Sequence, residues 1–130
     1  MNGSLSEPLP ERHRHLWLLA AAPAIWIAHL LAAYITAAVW CARFAGPGGS
    51  LAYVRVAIAW YTVLALTGIA LVGWTGLRRQ RYGGKAAPDD SDTPEDRHRF
   101  LGYATLLLAG LSALATALVG LSASFFQVCW

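Results

Sequence analysis

Charge is scarce in this sequence, and the places where it is missing organise the rest. Charged residues make up 13% of the chain and hydrophobic ones 57%, with a mean hydropathy of +0.46, whereas soluble domains carry about 25% charge. An ordinary soluble domain is excluded. Cysteine and methionine are equally sparse. The two cysteines form no CxxC or CxxCH spacing, and Met1 is the only methionine, so the sequence holds neither a copper-binding thiolate frame nor a haem-attachment motif. No phosphate loop, dinucleotide fingerprint, nucleophile paired with a base, or pair of carboxylates inside an apolar run is found. Nothing reads as an enzyme. The net charge of +3 and pI near 9.2 come from basic residues that flank apolar runs. A basic groove with interleaved aromatics is lacking, so no nucleic-acid partner is expected.

What the chain has in quantity is uninterrupted apolar sequence. Residues 16 to 41, LWLLAAAPAIWIAHLLAAYITAAVWC, contain no charge and only His29 and Thr36 as conspicuous polar groups. At about 1.5 Å per residue, roughly 20 apolar residues cross a hydrocarbon core of about 30 Å. Two further runs, Leu51 to Leu77 and Phe100 to Val128, meet the same requirement. The expected fold is therefore all-α: one three-helix transmembrane domain over residues 16–128, with spans near 16–41, 51–77 and 96–128. Residues 1–15 are expected as a cytoplasmic tail, 78–95 as a cytoplasmic loop and 129–130 as a periplasmic end. The first run exceeds the 7 to 15 residues of a signal-peptide core, so it reads as a retained span.

Orientation follows from basic residues. Arg12, Arg14, Arg78, Arg79, Arg81, Lys85, Arg97 and Arg99 lie on one side, against Arg43 and Arg55 on the other. Cytoplasmic flanks collect Lys and Arg, which puts the N-terminus inside and the C-terminus outside. Aromatics fall at matching depths: Trp17, Trp74, Tyr82, Phe100 and Tyr103 inside, with Trp40, Phe44, Tyr53, Phe125, Phe126 and Trp130 outside. Between the first two spans RFAGPGGS predicts a tight turn that stops the helix. Arg55 reads as a side chain reaching the outer headgroups. Thr93, Pro94, Glu95 and Asp96 read as the capped start of the third helix.

Three features carry candidate roles. Ala22, Trp26, His29, Ala33, Thr36 and Trp40 share one side of the first span. On that side His29 lies near mid-depth, where an ionisable group suggests a partner, a proton path or a cofactor. Its structural reading is a neutral imidazole bonded to a backbone carbonyl, to Thr36 or to a neighbouring helix; its functional reading is a haem or quinone contact with Trp26, Tyr34 and Thr36 nearby. No second intramembrane His or Met faces it, so this chain has no cofactor of its own and haem would need a partner. On the third span Thr105, Ala109, Ser112 and Thr116 share a face, and Ser112, Thr116, Gly120 and Ser124 recur every four residues; small residues and hydroxyls of this kind pack on protein, here expected to be a larger subunit. Leu106, Leu107, Leu108, Leu111, Leu114 and Leu118 suit lipid or bulky packing. Cys41 and Cys129 both reach the outer, oxidising end, which favours a disulfide over two unpaired buried thiols. His13, His15, Asp96 and His98 fit no metal-ligand frame.

PAIWIAHLLAAYITAAVWC at residues 23–41, DTPEDRHRFLGYATLLLAGLSALAT at 92–116, and the near-terminal cysteine resemble a family of small three-span bacterial membrane proteins associated with haem-copper cytochrome c oxidase gene clusters. The likeness covers spans one and three and hardly touches span two. It implies a bacterial cytoplasmic-membrane protein that is a non-catalytic accessory subunit of the oxidase, with lipid and larger membrane subunits as partners, or an assembly factor for it. It transfers no catalytic residue.

Overall fold

A computed structural model describes residues 8–82 and 94–129. Three long helices account for nearly all of them: α1, Pro8–Trp40; α2, Ala52–Tyr82; and α3, Pro94–Phe125. Each contains a stretch long and apolar enough to cross a membrane, Leu16–Ala45, Ala52–Arg78 and Arg99–Phe125. The chain is a multi-pass membrane protein of three helices, and among the described residues the only β feature is an isolated bridge between Ser50 and Val128.

The helix ends depart from the sequence expectation in four places. α1 starts at Pro8, inside the stretch expected as a tail. A turn added to an existing long helix needs no new nucleus, and Pro8 and Pro10 fall where backbone N–H groups have no helical acceptor anyway. At the other end Cys41–Ala45 continues the winding as a π-helical turn, closed by the Gly46 N–H on the Cys41 carbonyl at 3.1 Å. Arg43 to Ala45 are thus helical, and the stop comes at Gly46 (φ +63°), followed by Gly48 (φ +79°), conformations that suit glycine. α2 runs on past Leu77 through Tyr82, a further turn over which the Arg78 guanidinium lies 5.8 Å from the Trp74 ring. α3 ends at Phe125, and Phe126 to Val128 are extended, because their backbone pairs elsewhere. Leu51 N–H donates to Gln127 O (3.1 Å), Cys129 N–H to Gly49 O (3.0 Å) and Gly48 N–H to Cys129 O (3.2 Å). A backbone group at membrane depth needs a partner, and the turn supplies it.

Hydrocarbon as solvent explains which residues face out. Large side chains such as Leu31, Trp60, Leu64, Leu71, Leu111 and Leu114 are exposed, while Ala22, Ala33, Ala65 and Ala109 are buried. With lipid outside there is no reward for hiding a leucine, so small residues that let helices approach occupy the interior. Outward hydroxyls satisfy themselves. Thr67 donates to Val63 O, Thr75 to Val72 O, Ser122 to Val119 O and Ser124 to Gly120 O, each three or four residues back. α2 and α3 form the most extensive contact, with α1 packed against both. The interior is layered: an apolar cluster of Ala33, Leu51, Val54, Ile58 and Cys129 toward the disulfide, and a second one of Ala22, Ile69 and Ala109. A polar layer separates them.

Candidate functional site

That layer holds His29 of α1, Thr62 of α2 and Thr116 of α3. His29 is 4% exposed and Thr116 fully buried. His29 Nε2 lies 3.0 Å from Thr62 Oγ1, and the Thr62 hydroxyl itself sits 2.8 Å from the Ile58 carbonyl, to which it donates its one hydrogen. The ring nitrogen must then be the donor in the pair. With the Thr62 hydrogen on Ile58 O, His29 takes the Nε2–H tautomer and Nδ1 is left as an acceptor. Of the structural options open from sequence, the neighbouring-helix bond is the one present.

The buried side-chain polar atoms without a partner among the described residues are Trp26 Nε1, His29 Nδ1 and Thr116 Oγ1. All three belong to this level. Trp26 and His29 are one turn apart on the same face of α1. A Cβ built on Gly120 would come within 2.8 Å of Thr62 Oγ1, so the α3 turn that carries Thr116 and Gly120 rests directly on Thr62. The layer thus offers an indole donor, an imidazole acceptor and a hydroxyl, groups suited to polar bonding and proton placement. Electron transfer would need a redox group beside them.

Haem or quinone against His29 does not fit this packing. Its Nε2, the usual ligating nitrogen, is committed to Thr62, the ring is enclosed by helices, and Tyr34 is 72% exposed and turned away from it. A groove of about 440 Å³ lies nearer the disulfide end, and His29 is not in its lining. Thr36 is half-buried and makes no bond to the imidazole. Among the described residues no group of three His, Cys, Asp or Glu side chains is assembled; the side chains of His13, His15, Asp96 and His98, together with Thr93, lie outside the described residues.

The small-residue face of α3 is placed differently from the expectation. Thr105, Ala109, Ser112 and Thr116 are buried within this chain. Gly76 of α2 approaches Gly102 and Thr105, Gly73 approaches Ala109, and Gly120 abuts Thr62. A larger subunit cannot use a face that α2 already covers. Ser124, expected in the same row, is exposed and bonds its own helix. The α2 half of this contact, Thr62, Ala65, Ile69, Gly73 and Gly76, went unnoticed in the sequence, although its steps of three and four were there to be counted.

At the end of the bundle where α1 stops, Cys41 and Cys129 are joined in a disulfide, with Cα atoms 5.7 Å apart and a sequence separation of 88. Trp40 caps the same corner: its indole N–H donates to Ser50 O at 3.2 Å, and its ring lies 5.5 Å from Phe44 and 5.8 Å from Tyr53. The covalent link and the Ser50–Val128 bridge hold the tips of α1 and α3 to the intervening turn. Compared with protein-family models, curated proteins and solved structures, the chain finds no match.

Proposed function

We propose that this chain is a non-catalytic accessory subunit of a bacterial respiratory complex in the cytoplasmic membrane, a haem-copper cytochrome c oxidase, oriented with its N-terminus inside. The resemblance of spans one and three supplies the complex; the surface of α3 supplies the mode of contact. With the small-residue face committed internally, the outward side of α3 carries Leu107, Leu111, Leu114, Leu118 and Leu121, each more than half exposed. Their spacing is four, three, four, three, the heptad seam of helix-on-helix packing. Beside them Gly110 and Ala117 are exposed at a seven-residue interval and form the holes that knobs from a partner helix enter. Any outward helix face recurs at steps of three and four; what distinguishes this one is an all-leucine stripe with small residues beside it. This stripe carries the reading.

Gentle detergent extraction from native membranes, followed by identification of the chains that stay bound, tests it. Oxidase subunits are expected with the wild type and lost with Leu111→Ala/Leu114→Ala/Leu118→Ala, which stays apolar but removes the knobs. A chain that emerges alone, or a triple variant that retains its companions, refutes the proposal. Reporters fused to the two ends should fall in opposite compartments, with the amino end in the cytoplasm.

A further inference from the structure

The outer groove is bounded by α1, the first turns of α2 and the extended C-terminal segment. Its walls are apolar: Tyr34, Ala38, Ile58, Phe126 and the disulfide. A single charged residue, Arg55, lines it. Arg55 is one turn into α2, level with the Trp40 and Tyr53 rings that mark the headgroup region, and it is exposed. Every acidic residue of the chain precedes residue 12 or follows residue 88. Among the described residues the acidic ones, Glu11, Glu95 and Asp96, stand in the first turns of α1 and α3, at the far end of the bundle from Arg55.

A cation at the rim of an apolar slot, with no Asp or Glu beside it among the described residues, specifies its occupant. We infer that the groove binds one outer-leaflet phospholipid with a net anionic headgroup, its phosphate on the Arg55 guanidinium and one acyl chain along Ile58 and Phe126. A guanidinium engages a phosphate through parallel N–H donors, a geometry a lysine would not reproduce. A zwitterionic headgroup brings an ammonium that meets no Asp or Glu among the described residues at this end, whereas a net negative headgroup meets Arg55 alone. The volume, about 440 Å³, is in the range of sites that enclose small-molecule ligands, about 300–1,000 Å³.

Native mass spectrometry of the full chain in detergent, with dioleoyl phosphatidylglycerol or dioleoyl phosphatidylcholine added, tests the site without reference to any partner protein. One phosphatidylglycerol is expected to bind, preferred over phosphatidylcholine by about fivefold, the ratio one basic residue gives at an anionic surface. Arg55→Gln should abolish the preference while some lipid still binds. Ala38→Trp, on an exposed position of the wall, should fill the slot and remove the bound lipid, with the disulfide intact by thiol trapping to confirm folding. Equal binding of the two lipids, a preference that survives Arg55→Gln, or undiminished binding in Ala38→Trp overturns the inference.

Discussion

Breaking the disulfide should measure how the Cys41–Cys129 end is held. Cys41 and Cys129 are 88 residues apart, and loop-closure entropy for a flexible loop of that length gives a stabilisation of about 4 to 5 kcal/mol. A helical membrane protein denatured in detergent keeps most of its helix, however, so the loop is not fully flexible. Removing the 31 residues of α2 and the 32 of α3 from it leaves 25 outside these two helices, and the same relation then gives about 3.5 kcal/mol. The expected loss on going from the oxidised chain to Cys41→Ala/Cys129→Ala is accordingly about 3 to 5 kcal/mol, the lower part of the range if helices persist. The backbone bonds of Leu51, Cys129 and Gly48 remain in the variant and keep the native end populated, so folding should survive. The assay is reversible unfolding in mixed micelles of a mild detergent and dodecyl sulfate, followed by tryptophan emission, with the oxidised, chemically reduced and doubly substituted chains compared. Reduced and substituted chains should coincide. An unfolding midpoint that moves by less than the equivalent of about 1 kcal/mol, in a chain whose thiols are shown by trapping to be joined beforehand, would refute the loop-entropy reasoning.

The same unfolding assay reads the other contacts. In a double-mutant cycle of His29→Ala and Thr62→Val the coupling energy should be about 0.6 kcal/mol and no more than about 1.7, the range for hydrogen bonds between membrane helices; zero coupling would remove the bond from the account. Nitrogen NMR of a histidine-labelled chain should show the His29 proton on Nε2, and a proton on Nδ1 would contradict the role given to Thr62. Gly120→Ala should cost about 1 to 3 kcal/mol, because its methyl meets Thr62 at 2.8 Å. Gly110→Ala, with nothing within 4 Å, should be neutral or slightly stabilising in unfolding experiments, since alanine is the better helix former. Equal effects at the two glycines would mean that α2 and α3 are not packed as described.

The spans could be read from the sequence because they rest on one quantity, the length of apolar chain against the thickness of hydrocarbon. The pairing of Cys41 with Cys129 could be anticipated because three spans leave both at one end. The ends of the helices were less legible. Whether residues 126 to 128 continue α3 depends on where their backbone pairs, and Leu51 N–H donates to Gln127 O while Gly49 O accepts from Cys129 N–H, nearly eighty residues away in the chain. No local pattern announces it. The α3 face of Thr105, Ala109, Ser112 and Thr116 was legible as a packing face, but its partner was not: spacing says that a face is small and says nothing of what covers it. The matching small face on α2 decides that. Thr62 was missed for a related reason, since a threonine among apolar residues has no distinctive spacing until the opposing histidine is known.

The order of layers gives the fold its logic. Apolar clusters alone would leave the helices free to slide, because leucine, alanine and lipid exchange contacts at little cost. One bond at a fixed height prevents this: with the Thr62 hydroxyl turned to Ile58 O, His29 finds its acceptor at a single register of α1 against α2. A second constraint, the contact of Gly120 with Thr62, sets α3 against the same residue. Thr62 therefore serves as the common reference of all three helices. The disulfide cannot do this, since it fixes the tips of α1 and α3 and leaves the height of α2 to the turn. Loss of the disulfide should accordingly loosen the Cys41–Cys129 end and leave the helix register unchanged, whereas loss of Thr62 should blur the register while the sulfurs stay joined. Cross-linking between engineered cysteine pairs along α1 and α2 separates the two outcomes, and a Thr62→Val chain that keeps the native cross-linking pattern would show that close packing alone holds the register.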